Sequence, residues 1–276
     1  MDSKFDHEPI HSSDRGKADC DSILWRVPLS PPLLADDAIH VWCATLDQSP
    51  SYRGQLAETL SEDERQRAAR FHFERDRNRF IVGRGLLRSI LGCYLNVKAD
   101  ALAFRYNPQG KPSLATPSQI HFNLAHSHNL ALYAITRRRE IGVDIERIRP
   151  VPGMKEIAQR FFCAAEATHM LSLPEEQKAE GFFNCWTRKE AYLKATGEGI
   201  AGALNQFEMS LRPGEPAALL HDAMNPTEAS RWALFDLKPA RGYAAALAVK
   251  EQLLQVQSGQ WTADISNQAT DQFAVK

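Results

Sequence analysis

The run Gly142-Val-Asp-Ile-Glu146 sets two carboxylates two positions apart. On a strand, residues at i and i+2 share a face, so Asp144 and Glu146 point one way while Val143 and Ile145 point the other. Side-by-side carboxylates repel unless protons or a cation neutralise them. A solvated strand end is the competing explanation for this pair. A third carboxylate comes from residues 175–196, whose apolar seam reads Ala179, Phe183, Trp186 and Leu193, with Glu190 filling the gap before Leu193. A core-facing carboxylate without a partner costs several kcal/mol, and Lys194, one turn on, lies within pairing reach. An internal Glu–Lys pair that only fixes the helix would explain Glu190 equally well. Three inward carboxylates on two elements suit Mg²⁺, with Mn²⁺ also compatible, because a hard cation takes oxygen ligands and completes its shell with substrate phosphate. Metal and phosphate together imply phosphoryl-type chemistry.

A phosphate partner needs cations. Eight arginines lie between Arg65 and Arg88 (65, 67, 70, 75, 77, 79, 84, 88), and Arg84 and Arg88 share a helix face. Guanidinium forks match phosphate, so this stretch is a candidate anion cradle, although most of an Arg-rich helix is commonly a solvated face. His126 and His128 would share a strand face, with His121 close by. No further ligand falls at zinc spacing, so structural roles are expected, with His126 able to donate to phosphate.

The elements that must position these groups follow from periodicity. Residues 38–46 read as a strand, and Ser61-Glu-Asp-Glu64 spells a capping box that opens a helix running to about Phe80. A second helix is expected from Phe80 to Leu95, bent near Gly83 and Gly85, and strands at 103–106, 120–124, 130–136 and 141–145. Helical periodicity returns over 154–162, 164–173 and 175–196, and strands over 207–211, 231–237 and 242–249. The order helix-then-strands thus occurs twice, an α+β pattern with two similar lobes rather than alternating βαβ units. The expected divisions are a polar N-terminal tail over 1–36, lobes over 37–146 and 147–250, and a Gln-rich C-terminal tail over 251–276.

Composition narrows the function. The chain has 276 residues, 43% hydrophobic, with 33 Lys+Arg against 34 Asp+Glu and a net charge of −1. That balance counts against a general nucleic-acid binder or a polybasic membrane binder. No 18-residue apolar run exists, the first twenty residues lack an apolar signal core, and the five cysteines form no C-x-x-C pair. A cytoplasmic location is expected. Clustered acids with a lysine would also serve a two-metal nuclease or phosphodiesterase, which the charge balance disfavours.

In order, Lys111-Pro112, Phe122-Asn-Leu-Ala-His-Ser127, Gly142-Val-Asp-Ile-Glu146 and Trp186-Thr-Arg-Lys-Glu-Ala-Tyr-Leu-Lys194 resemble the 4′-phosphopantetheinyl transferases of the surfactin-synthetase-activating type. The likeness runs from about Ala38 to Val249, and the acid and Trp-Lys-Glu motifs stand 40 residues apart, from Glu146 to Trp186. The resemblance implies a two-lobed, pseudo-twofold monomer with coenzyme A between the lobes. It also implies transfer of phosphopantetheine from coenzyme A to a serine of an acyl or peptidyl carrier protein, with release of 3′,5′-ADP. Asp144, Glu146 and Glu190 would hold Mg²⁺, Lys194 would steady or protonate the leaving phosphate, and Glu166 or Glu190 would be the base for the serine. Arg79, Lys111, Pro112 and His126, with Arg67 as a weaker match, would bind the nucleotide end. Where the family usually has Ser before the motif histidine, this chain has Ala125. The resemblance therefore implies weaker coenzyme A binding, or rescue by Ser127 or by backbone N–H groups.

Overall fold

Two capping boxes organise the helices. Ser61 donates its backbone N–H to Glu64 Oε2 at 3.1 Å, and Cys163 donates its own to Glu166 Oε2 at 2.8 Å. Each box satisfies free N–H groups at the start of a short helix, just ahead of a long one. The computed structural model describes Trp25 and residues 33–197, 204–223, 226–227, 229–250 and 254–265. The first series of elements is β1 (Ala38–Thr45), α1 (Pro50–Glu58), α2 (Glu62–Ala69), α3 (Glu74–Leu95), β2 (Phe104–Tyr106), β3 (Pro112–Leu114), β4 (Ile120–Ser127) and β5 (Leu130–Arg137). The second is β6 (Ile141–Arg147), α4 (Met154–Phe161), α5 (Ala164–Ser172), α6 (Glu175–Thr196), β7 (Phe207–Met209), β8 (Leu219–Asp222), β9 (Trp232–Leu237) and β10 (Tyr243–Lys250), followed by β11 (Gln255–Gln260).

The two series repeat one topology: a strand, three helices, a small hairpin and two strands. The larger sheets are ordered β11-β1-β5-β4 and β6-β10-β9, so β1-β5-β4 is matched by β6-β10-β9. Because β6 opens the second series, the boundary lies ahead of Ile141 rather than after Glu146, at the turn where Arg138 takes a positive φ of 57°. The sheets share a middle core of Ile39, Val41, Leu132, Val143, Ile145 and Leu247. The long helices cover the outer faces: α3 packs Leu86, Leu87 and Ile90 onto the first sheet, and α6 packs Ala191 and Ala195 onto the second. Burying each such Leu or Ile side chain contributes about 1.5–3 kcal/mol. Side chains stitch the seam between sheets, where Asn123 Oδ1 accepts the Val143 N–H at 2.9 Å and Ser127 Oγ accepts the Arg147 N–H at 3.1 Å.

Several expectations change. The first helix stops at Ala69, and α3 then runs unbroken through Gly83 and Gly85. Gly85 is there for a close approach and not a bend, since a Cβ would stand 2.6 Å from Leu56 Cβ. The helix α1 and strands β3 and β8, too short or weakly patterned to stand out in sequence, are additions. Residues 251–276 are not simply a tail. The strand β11 pairs in parallel with β1, from Ala38↔Gln255 to Cys43↔Gln260, and Trp261 and Ile265 are buried beyond it. Its alternation is too polar to read as a strand; pairing with β1 supplies what the pattern lacks. The expected N-terminal tail is likewise anchored at two points. Leu34 is buried, as is Trp25, which donates its indole N–H to Lys238 O at 2.8 Å. The rest of 1–32 and the end of the chain lie outside the described residues.

Candidate active site

The acid strand and the lysine helix meet because position 142 has no side chain. A Cβ on Gly142 would overlap Ala191 O and stand 2.5 Å from Ala195 N, so only glycine lets the α6 backbone lie directly on β6. That contact brings Lys194 Nζ to 2.6 Å from Asp144 Oδ1 and 3.2 Å from Val143 O. Glu190 is one turn back on the same helix and, like Asp144 and Glu146, is buried. The second carboxylate, Glu146, accepts a hydrogen bond from Ser127 Oγ at 3.0 Å.

The charges report one shared environment. Burial raises the Asp144 carboxyl despite the adjacent ammonium. Burial, then the Asp144 charge, pushes Glu146 up to about 8. Burial would lower the Lys194 ammonium, but Asp144, Glu190 and Glu146 together hold it above its ordinary value. Three acids thus lie close enough to one lysine for each to act on its charge. Among the described residues, no three His, Cys, Asp or Glu side chains close on one point as a finished metal cluster. The donor set nevertheless fits a hard divalent cation. Asp144 Oδ2 is buried with no hydrogen-bond partner, and burial raises the carboxyls of both Asp144 and Glu146, a cost that a bound cation would relieve.

The candidate nucleotide residues divide. Arg79 forks onto Asp47 with two bonds of 2.8 Å, and its guanidinium and that of Arg147 both act on the half-buried Tyr243 hydroxyl, which donates to Asn129 Oδ1 at 2.9 Å. Two arginines therefore converge near the β4–β5 turn, at the Glu146 end of β6. His126 is exposed on β4, on the face opposite Ser127. Arg67 is exposed on α2, its guanidinium 5.3 Å above the Phe80 ring. Pro112 is half-buried at the start of β3.

Lys111 does something other than face outward. Its ammonium donates to Ile141 O at 3.2 Å, to Ala195 O at 3.3 Å and to Lys194 O, capping the end of α6 from the β2–β3 loop. Lys111→Met should cost about 1–3 kcal/mol of stability through these lost charge-assisted bonds, read as a lower urea midpoint at unchanged slope.

Four expectations need correction. Arg84 and Arg88 do not form an anion cradle: both are buried on Glu64, at 2.7 Å (Arg84 Nε–Oε1) and 2.6 Å (Arg88 Nε–Oε2). Nothing in the capping-box pattern signals this second use of its acid, 20 and 24 residues away. His128 does not share a strand face with His126, because it takes a positive φ of 54° in the turn after β4. Ala125 points into the middle apolar core beside Val143, and the Ser127 hydroxyl is committed to Glu146 and Arg147, so the expected exchange of one hydroxyl for the other finds no support. Glu166 does not join the acid group. It is 0% exposed and bound to Lys189 Nζ at 2.8 Å, Cys163 N at 2.8 Å and Met209 N at 2.7 Å. Sequence reasoning misses the place of Ser127 and Asn123 in the seam; their four-residue spacing along one face of β4 is the available signal.

Comparison with known proteins covers both halves of this arrangement. Residues 140–248 match the family model described as the 4′-phosphopantetheinyl transferase superfamily, and residues 48–137 match that of the 4′-phosphopantetheinyl transferase N-terminal region. Their limits fall on either side of the turn that separates the two repeats. The 4′-phosphopantetheinyl transferase HetI of Nostoc sp. is 47% identical over 227 residues, covering 81% of this chain and 92% of its own. The 4′-phosphopantetheinyl transferase psf-1 of Bacillus pumilus is 35% identical over 165 residues, 60% of this chain and 70% of its own. Sfp of Bacillus subtilis is 29% identical over 168 residues, 60% and 74%. With both repeats matched and the acid strand and lysine helix inside the matched span, the chain belongs to the 4′-phosphopantetheinyl transferases, a family of enzymes.

Proposed function

We propose that the chain moves the 4′-phosphopantetheine group of coenzyme A onto a serine hydroxyl of an acyl or peptidyl carrier protein, releasing 3′,5′-ADP. The observation that carries this reading is the gathering of three buried acids, Asp144, Glu146 and Glu190, around the ammonium of Lys194. Asp144 and Glu146, with Glu190 adjacent, would hold Mg²⁺, which when bound neutralises pyrophosphate oxygens. The serine oxygen forms a bond to the phosphorus nearer the pantetheine, and the bond from that phosphorus to the oxygen of 3′,5′-ADP breaks. Glu190 accepts the serine proton, the role left to it by the commitment of Glu166 elsewhere. Lys194, held in place by Asp144 and Val143 O, offers its ammonium to the charge that develops on the leaving phosphate. Arg79, Arg147 and His126 line the end of the sheets where the nucleotide would lie.

The carrier would meet the segment after β6. Arg147 and Lys155 are exposed there, and Arg149 lies 5.6 Å over the Phe183 ring, which suits an acidic partner surface. We read the protein as a cytoplasmic monomer; among the described residues no helix is long and apolar enough to cross a membrane.

The test is the intact mass of apo carrier protein incubated with this protein, coenzyme A and Mg²⁺. A gain of about 340 Da that disappears with chelator is expected. Metal binding has its own readout. Mg²⁺ should raise Tm more at pH 8 than at pH 6, because Glu146 releases its proton only near 8 and below that protons compete with the cation. For a carboxyl raised in this way, stability without the cation is highest below the ordinary carboxylate range and falls as pH rises towards 8. Equal Tm shifts at the two pH values would remove these acids as the metal site.

A further inference from the structure

The same buried clasp occurs in each half of the molecule, and among the described residues only the second half sets the acids against its long helix. In the first half, Glu64 of the α2 capping box accepts Ser61 N and Arg88 Nε on one oxygen and Arg84 Nε on the other. Arg88 then donates onward to Ala99 O at 3.1 Å and Leu102 O at 2.8 Å, in the segment after α3. In the second half, Glu166 of the α5 capping box accepts Cys163 N and Lys189 Nζ on one oxygen and Met209 N on the other. Lys189 donates onward to Leu204 O at 2.7 Å and Phe207 O at 2.6 Å, in the segment after α6. Arg88 and Lys189 are each the fifteenth residue of a 22-residue helix.

The strand facing the long helix differs between the halves. Where β6 presents Asp144 and Glu146 to α6, β1 presents His40 and Trp42 to α3. The Tyr94 hydroxyl joins them, at 2.7 Å from His40 Nδ1 and 2.8 Å from Trp42 Nε1. That network is uncharged, since burial lowers His40 to about 4. A device kept in the half without the acids serves the fold and not the chemistry.

We propose that Glu166 and Lys189 form a positioning pair that locks α5 and the 204–209 segment to α6, fixing the rotation at which Glu190 and Lys194 face β6. Every oxygen of Glu166 is spoken for, and the side chain is fully buried, so it neither meets the carrier serine nor takes its proton. Lys189, next to Glu190 in the chain, points to the opposite side of the site and touches backbone carbonyls. This inference rests on the transferase reading above, so transfer by the wild-type protein is measured first; its absence would count against that reading.

Given wild-type activity, Lys189→Arg copies the cation of the first half and should keep kcat within about threefold, while Lys189→Met should lower it about tenfold or more with the KM for coenzyme A within about twofold. Glu166→Gln should lower kcat about tenfold and leave the acidic limb of the kcat/KM pH profile where it is in wild type. A Glu166→Gln protein of unchanged Tm that loses that limb would make Glu166 the base and overturn the proposal. Should Glu166→Gln or Lys189→Met fail to fold, a structural clasp is supported and Lys189→Arg decides: a folded Lys189→Arg protein losing activity by more than about a hundredfold overturns the positioning role.

Discussion

Asp144→Ala should leave a folded protein that transfers phosphopantetheine at least about a thousandfold more slowly, equivalent to about 4 kcal/mol of barrier. The size follows from where the charge sits. Asp144 is buried, and its Oδ1 holds Lys194 at 2.6 Å while Oδ2 has no partner, so the side chain both aims the ammonium and supplies an open donor oxygen. Electrostatic groups fixed in a water-poor site act at full strength on developing charge, and losing one commonly costs two to three decades. Here one substitution removes two such contributions. Stability should move little, because the folded protein bears the cost of burying this acid, as its raised carboxyl shows. Asp144→Asn makes the separation cleaner, since its amide oxygen can still accept from Lys194. Circular dichroism, Tm with and without Mg²⁺, and carrier mass gain would be read together. An unchanged fold with no Mg²⁺-induced Tm shift and no transfer is the expected set. A protein that instead unfolds would make Asp144 a structural partner of Lys194 and nothing more.

Gly142→Ala should destabilise the protein by at least about 3 kcal/mol and abolish transfer with it. Overpacking a core usually costs about 1–3 kcal/mol because side chains can shift. At Gly142 the obstacles are Ala191 O, Ala195 N and the Lys194 carbonyl carbon, all backbone of a rigid helix. Relief requires α6 to lift away from β6, which separates Lys194 from Asp144 and exposes the surrounding apolar contacts. Against a total stability of about 5–15 kcal/mol that is a large fraction. Gly54 offers the control. It lies within α1 with nothing within 4 Å of a Cβ, so Gly54→Ala should raise stability by up to about 1 kcal/mol. Urea midpoints that move in opposite directions for the two variants would confirm the reading; a Gly142→Ala protein as stable as wild type would sink it.

Both predictions draw on residues whose spacing along the chain is itself informative. Asp144 and Glu146 stand two apart on a strand, and Glu190 and Lys194 one turn apart on a helix that begins and ends where the seam indicates. These are local relations, set by the repeat of the strand and of the helix, and local geometry survives folding. The apolar alternation of Val143 and Ile145 also places the acids on the side away from the middle core. The arginines show the opposite case. Arg84 and Arg88 look available because an exposed helix face and a buried one can carry the same residues, and only the arrival of Glu64 from another helix distinguishes them. Glu166 and Lys111 are alike in this respect. Each belongs to a motif with a chemical reputation, yet their partners are backbone groups and side chains that sequence distance conceals.

The α+β class, the two successive series of elements and the acid-plus-lysine constellation are all legible in the chain itself, because each depends on periodicity or on neighbours within one turn or one strand. Long-range packing settled the rest. It moved the repeat boundary ahead of β6, since that strand pairs with β10 and not with the first sheet. It added β11, whose polar residues become a strand only through the ladder offered by β1. It also determined which charges are free to work and which are consumed in holding the fold. That last distinction depends on burial and on partners distant in the chain, and neither is a property of a residue's own neighbourhood in sequence.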